Sequence, residues 1–325
     1  MKKIPQAAIA VCLLFLLPTL LWAETAQEKK AAKIDLDKTV ALYEGWLSRP
    51  SFPETVPFAY YPVYAMQAMG KEISKEKKKK IVAFLKSCQK PDGGFANEPQ
   101  YAKESNVIFT YHALQALSLL EALDAIDRAK ALSYLTGLQQ KDGGFKASAG
   151  GKGKPTLDAT YYGVQSLVLL DGLKKVDKKK TTALVANHRK KGSGFSKQPG
   201  TAPSPQSTFM GVRTLKTLGA LTDEITTEVK AYLGGTRYTG RPTDRKYYSL
   251  PTIREMSFVL RTLDDLSALK EVADTKKVEE FVTSLYIPVN GGFGPQPGYG
   301  TTPPSTYHGI VCLVQLGKLK DPLRS

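Results

Sequence analysis

One pattern recurs along this chain at a nearly fixed interval, and it restricts what the chain can become. In FLKSCQKPDGGF (Phe84 to Phe95) an amphipathic stretch ends on a glycine pair and a phenylalanine. A polar loop follows, then the almost wholly apolar segment NVIFTYHALQALSLL (Asn106 to Leu120). Glycine reverses a chain at the end of a helix because it alone takes positive φ without strain. A segment apolar on nearly every side belongs in an interior. The unit is therefore an outer helix, a glycine turn and an inner helix, and one copy alone has nothing to pack against.

Copies follow. YLTGLQQKDGGF (Tyr134 to Phe145) precedes LDATYYGVQSLVLL from Leu157, and HRKKGSGF (His188 to Phe195) precedes STFMGVRTLKTLG from Ser207. NGGFG from Asn290 precedes STYHGIVCLVQLG from Ser305. Weaker copies, AYYPVYAMQAMG from Ala59 and REMSFVLRTLDDL from Arg254, fill the gaps. One slot on each inner helix reads Tyr64, His112, Tyr162, Met210, Phe258 and His308, at intervals of 48, 50, 48, 48 and 50 residues. Self-similarity of this length means stacked supersecondary units. The expected fold is all-α, an α6/α6 toroid of six helical hairpins in one domain.

Residues 1–23 read as a signal peptide. Lys2 and Lys3 precede an apolar run from Ala7 to Ala23, broken by Pro18 and ending on a small residue. Residues 24–33 read as a flexible tail and 34–325 as the toroid. The chain is thus expected to be exported, to a bacterial periplasm or beyond. The formal net charge is +16, and +14 without Lys2 and Lys3. Lysines crowd the outer helices at Lys75, Lys77 to Lys80 and Lys178 to Lys180. They form a solvated face or one drawn to an anionic membrane surface. No recognition motif accompanies the charge, so nucleic acid is not an expected partner. Cys88 and Cys312 fall on different helices of distant hairpins and are expected as separate, buried thiols. His188 reads as a surface histidine on an outer helix.

FLxxxQxxDGGF, YLxxxQxxDGGF, TYHALQAL and STYHGIVCL resemble the repeats of squalene–hopene cyclases and, more closely, of protein prenyltransferase β subunits. The resemblance spans the chain after the signal. It implies a ring with a central cavity, and in the β subunits a zinc site, a diphosphate site and a helical α-subunit partner. Arg241 and Lys246, in GRPTDRKYY, match the family's diphosphate pair. Thr252 falls where that family has its zinc aspartate, Arg254 where it has its zinc cysteine, and His308 matches its zinc histidine. A catalytic zinc needs three protein ligands; one histidine beside an arginine does not hold it, so no metal or cofactor is expected. The cyclases' acidic D-x-D-D motif is also missing; Asp264-Asp265 is the nearest pair and reads as a polar contact between helices.

What remains is a lined cavity. The slot before the first reads Val63, Tyr111, Tyr161, Phe209, Ser257 and Tyr307; three residues past the first come Gln67, Gln115, Gln165, Arg213, Arg261 and Val311. A buried arginine demands an anionic partner, which points Arg213 and Arg261 at a ligand beside Arg241, Lys246 and Arg254. The expected function is binding of an anionic, isoprenoid- or lipid-like amphiphile, or an extended peptide or protein segment. Its head is expected at Arg241 and Lys246 and its chain toward Tyr161 and Phe209, with His112, Tyr307 and His308 in the lining. The alternative is an enzyme, either zinc-independent within this superfamily or acting on a polysaccharide. For the latter, Glu104, Asp158 and Glu255 are candidate acids or bases, and Asp158 reads more simply as a helix N-cap.

Overall fold

In the computed structural model, residues 33–100, 104–239 and 251–324 are described. Among them are thirteen α-helices and one two-stranded hairpin. Outer helices are α1 (Leu36–Leu47), α3 (Lys75–Cys88), α5 (Arg128–Leu138), α7 (Lys178–Asn187), α9 (Asp223–Gly234) and α12 (Thr275–Ser284). Inner helices are α2 (Val56–Ala68), α4 (Val107–Leu119), α6 (Leu157–Leu169), α8 (Pro205–Leu218), α10 (Ile253–Asp265) and α13 (Pro303–Gln315). The short α11 (Leu269–Val272) precedes α12, and β1 (Tyr286–Ile287) pairs antiparallel with β2 (Gly292–Phe293) before α13. The inner helices pack in the cyclic order α2, α4, α6, α8, α10, α13 and back to α2. The fold is the expected all-α toroid of six hairpins. None of the described helices is long and apolar enough to cross a membrane.

Short polar side chains start the helices. Asn106, Thr156, Ser204, Thr252 and Thr302 each accept a first-turn amide of an inner helix, and Asp35, Ser74, Asp127, Asp177, Thr222 and Asp274 do so for outer ones. The cap of α6 is Thr156, not Asp158, which lies within the first turn. The glycine turn then locks outer helix to inner. The amide of Phe95 donates to Thr110 Oγ1 at 3.0 Å, and Phe145, Phe195 and Phe293 do the same to Thr160, Thr208 and Thr306. Each of these phenylalanine rings is fully buried. On three inner helices the ring lies against a glycine, and a Cβ on Gly163, Gly211 or Gly309 would approach it to about 2.5 Å.

Each hairpin also grips the next. Gln139 accepts the amide of Asp177 and donates to Thr181 Oγ1, whose hydroxyl donates to Gly143 O at 2.8 Å. Gly143, at φ +86°, comes so near Lys180 and Thr181 that no side chain fits there. The last turn grips the first helix in the same way: Gly291, at φ +77°, lies against Lys38, and the Thr39 hydroxyl donates to Gly291 O at 2.7 Å. That contact shuts the ring. Cys88 and Cys312 are both buried and unbonded. His188 departs from expectation: it ends α7 with 6 % of its surface exposed, and its Nδ1 pairs with Ser196 O at 3.1 Å. The chain after the third glycine turn folds back over it.

Candidate functional site

The inner helices run parallel, so equivalent positions form layers across the ring. Counted from each helix start, the fifth residues are Tyr60, Tyr111, Tyr161, Phe209, Ser257 and Tyr307, and the sixth are Tyr61, His112, Tyr162, Met210, Phe258 and His308. The ninth are Tyr64, Gln115, Gln165, Arg213, Arg261 and Val311. The expected slots thus hold on five helices, while on α2 Val63, Tyr64 and Gln67 are replaced by Tyr60, Tyr61 and Tyr64. The starts of α2 and α4 are 51 residues apart (56 to 107). That step is three residues longer than the 48 expected. The missed tyrosines stood in plain view in AYYPVY.

These layers enclose two chambers. The near one, at the N-terminal ends of the inner helices, holds about 310 Å³ and is walled by the fifth and sixth layers, with Arg254 and Pro304 at the rim. Its rings touch in a closed belt: Tyr60 stacks on His112 (centroids 5.5 Å apart), Tyr161 meets Phe209 (5.5 Å), Phe209 meets Phe258 (5.5 Å), Phe258 meets His308 (5.9 Å), and Tyr307 meets Tyr60 (5.5 Å). The far chamber, about 550 Å³, is walled by Gln67, Gln115, Gln165, Ser118 and Arg213, and the C-terminal segment Lys320 to Leu323 lies along it. Tyr111, Tyr161 and Arg261 line both chambers and form the waist.

Of the sequence-expected site residues, Arg254, Arg261, Tyr161, Phe209, Tyr307, His308 and His112 all line the near chamber. Arg213 lines only the far one, and its anionic partner is internal. Its Nε donates to Asp265 Oδ2 at 2.6 Å, and Asp265, with 3 % of its side chain exposed, also takes Lys216 Nζ at 3.5 Å. The Asp264-Asp265 pair does serve as a link between helices: Asp265 meets α8, while Asp264 pairs with Arg324. Arg241 and Lys246 lie outside the described residues.

Arg261 is different. Its guanidinium lies 4.2 Å over the Phe209 ring, a cation–π contact. The groups that act on it most strongly are tyrosines, Tyr161, Tyr307, Tyr111 and Tyr60; among the described residues it makes no ion pair, and Asp321, which lines the same far chamber, pairs with Arg324. Arg254, second residue of α10, stacks 5.7 Å over Phe258 and donates to Gln206 Oε1 at 3.1 Å in an exposed position.

Both cavity histidines are uncharged at neutral pH. Burial lowers His112 to about 4, and its Nδ1 has no partner. Burial, reinforced by the charges of Arg254 and Arg261, lowers His308 to about 3. The Ser257 hydroxyl donates to Arg254 O, so the 2.8 Å contact between Ser257 Oγ and His308 Nδ1 is donated by the imidazole, which leaves Nε2 as an acceptor. Zinc does not fit here. Thr252 is engaged with Glu255 in a capping box, Arg254 places a cation beside His308, and among the described residues no group of three His, Cys, Asp or Glu side chains converges. Glu255 also faces Arg237 at 3.9 Å, and Glu104 is exposed outside both chambers.

A cyclic array of six helical hairpins around an aromatic-belted cavity defines the α/α-toroid class. The profile of the prenyltransferase alpha-alpha toroid domain matches residues 53–241 and 241–325, and the chain belongs to that family. Among solved structures it is similar to Candida albicans protein geranylgeranyltransferase-I complexed with GGPP, with a TM-score of 0.75, 16 % identity, and 90 % of this chain and 93 % of that one covered. It is also similar to the type II terpene cyclase MstE from Scytonema in complex with geranylgeranyl dihydroxybenzoate, with a TM-score of 0.57, 13 % identity, and 87 % and 96 % covered. No curated protein matches by sequence. At such identities the likeness carries the fold alone.

Proposed function

We propose that this toroid binds an anionic amphiphile, isoprenoid- or lipid-like, in its central cavity, and that it does so outside the cytoplasm after export by residues 1–23. One observation carries the reading: Arg261, a guanidinium with no ion pair among the described residues, stands at the waist between an aromatic near chamber and an amide-lined far one. Arginine stays protonated at any physiological pH, and burying its charge away from water is costly unless an anion meets it. The belt supplies apolar, ring-edged walls suited to unsaturated or branched hydrocarbon. The ligands of two neighbours, GGPP and geranylgeranyl dihydroxybenzoate, agree with that class.

Calorimetric titration of wild-type protein below micellar concentrations tests the reading, with laurate set against dodecanol, its uncharged counterpart. Laurate is expected to bind saturably, and dodecanol about tenfold or more weakly, the equivalent of a charged hydrogen bond of about 1.5–3 kcal/mol. Equal affinities, or no saturable binding of either, would end the proposal. Export is read separately: the protein is expected in the periplasmic fraction or medium of a bacterial host, shortened by 23 residues, and an intact cytoplasmic chain would contradict it.

A further inference from the structure

The lining of the ring changes along its axis in a way that gives a bound amphiphile a direction. The near chamber is aromatic; the far one is larger and carries amides. Two of the far chamber's glutamines are already engaged, Gln67 Nε2 donating to Leu119 O at 2.6 Å and Gln165 Nε2 to Thr217 Oγ1 at 2.9 Å. The third, Gln115, lines the chamber at 7 % exposure, and its side-chain oxygen is buried without a partner. It sits on α4, the second inner helix, and Arg261 sits on α10, the fifth. In a ring of six these two helices stand opposite each other, so the unpaired oxygen and the unpaired guanidinium occupy one layer on facing walls.

A guanidinium only donates hydrogen bonds, and the glutamine oxygen only accepts them. Hydrocarbon between the two would leave both desolvated and unmatched, the costly arrangement for buried polar groups. A head group with an anionic oxygen on one side and a hydroxyl or N–H on the other satisfies both. Arg254, at the near mouth, is exposed and already held by Gln206 and Phe258.

Resting on the reading above, we propose that the amphiphile lies head-inward. Its head, an anion flanked by a hydrogen-bond donor as in an N-acyl amino acid or a hydroxy acid, spans Arg261 and Gln115. Its hydrocarbon part lies in the aromatic belt toward the near mouth.

Two probes with the same chain and carboxylate test this: N-lauroylglycine, which keeps an amide N–H beside the carboxylate, and N-lauroylsarcosine, which does not. Wild-type protein is expected to prefer the glycine form by about fivefold or more, and Gln115→Leu to abolish that preference. Arg261→Gln is expected to weaken both by about tenfold, the loss of a charged hydrogen bond. Arg254→Gln, at the mouth that takes the hydrocarbon end, is expected to weaken both less than Arg261→Gln does. Loss of affinity in Arg254→Gln with Arg261→Gln unaffected would put the head at the near mouth; the amphiphile reading would survive and the orientation would fall. No binding of either probe to wild type would remove both. A third measurement needs no variant: laurate with a diazirine at its methyl end should label peptides from α2 and α13 near Tyr61 and Pro304. Labelling at Val168 or Leu323 instead would overturn the orientation.

Discussion

The uncharged histidines make stability depend on pH in a calculable way. An unfolded histidine titrates near 6.5, while His112 and His308 are held down to about 4 and about 3, chiefly by burial. A folded pKa below the unfolded one means that the unfolded chain takes up protons first as the pH falls. The contribution is therefore whole above about pH 6.5 and is lost progressively between there and the folded values. From pH 7 to pH 5 each histidine should withdraw about 2 kcal/mol, at 1.36 kcal/mol per unit below 6.5, and the pair about 3–4 kcal/mol. For a domain of this size that is on the order of 10 °C in Tm. The assay is thermal unfolding followed by circular dichroism across that range, comparing wild type with His112→Phe, whose ring can keep the stack on Tyr60. The variant should lose about half of the acid slope between pH 6.5 and 5, with His188 and every carboxylate unchanged. An identical slope in the two proteins would refute the assignment of this sensitivity to the cavity.

Two further substitutions probe the packing. Gly211→Ala places a methyl 2.5 Å from the buried Phe195 ring and should cost about 1–3 kcal/mol by overpacking, whereas Gly137→Ala, with nothing within 4 Å on α5, should gain about 0.5–1 kcal/mol from helix propensity; urea midpoints that fail to diverge would contradict the contact. Asp265→Ala strips the carboxylate from Arg213 and Lys216 and should destabilise by about 3 kcal/mol, while Asp265→Ala with Arg213→Met should recover much of that; a double variant no better than the single one would deny the coupling.

The toroid was legible because its signal repeats: an error at one copy is corrected by five others, and DGGF followed by Thr-aromatic on the inner helix marks the Phe-to-Thr lock. Legibility failed where a copy lacked its marker. The first inner helix has no glycine turn before it, so Tyr60 and Tyr61 were displaced by Val63 and Tyr64. Ion pairing across helices was also hidden. Arg213 finds Asp265 at a sequence separation of 52, and spacing alone left that arginine looking as needy as Arg261. The difference is one of partners, which only the folded ring supplies. His188 shows the same limit: its polarity suggested the surface, yet the loop carrying Ser196 covers it and takes its hydrogen bond.

The joint between Gly291 and Lys38 has a consequence for how the molecule comes apart. Linear arrays of hairpins fray from their ends and tolerate deletion of a terminal unit, because that unit has one neighbour. Here every hairpin has two, and the closing joint repeats the hydroxyl-to-glycine bond of an internal one, Thr39 to Gly291 as Thr181 to Gly143. Removing any hairpin breaks two joints and leaves two apolar flanks exposed, so partial unfolding has no inexpensive starting place. Topologically the molecule has no first repeat. A circular permutant opened in a loop between an inner helix and the next outer one would keep every joint it now has, whichever hairpin began its chain.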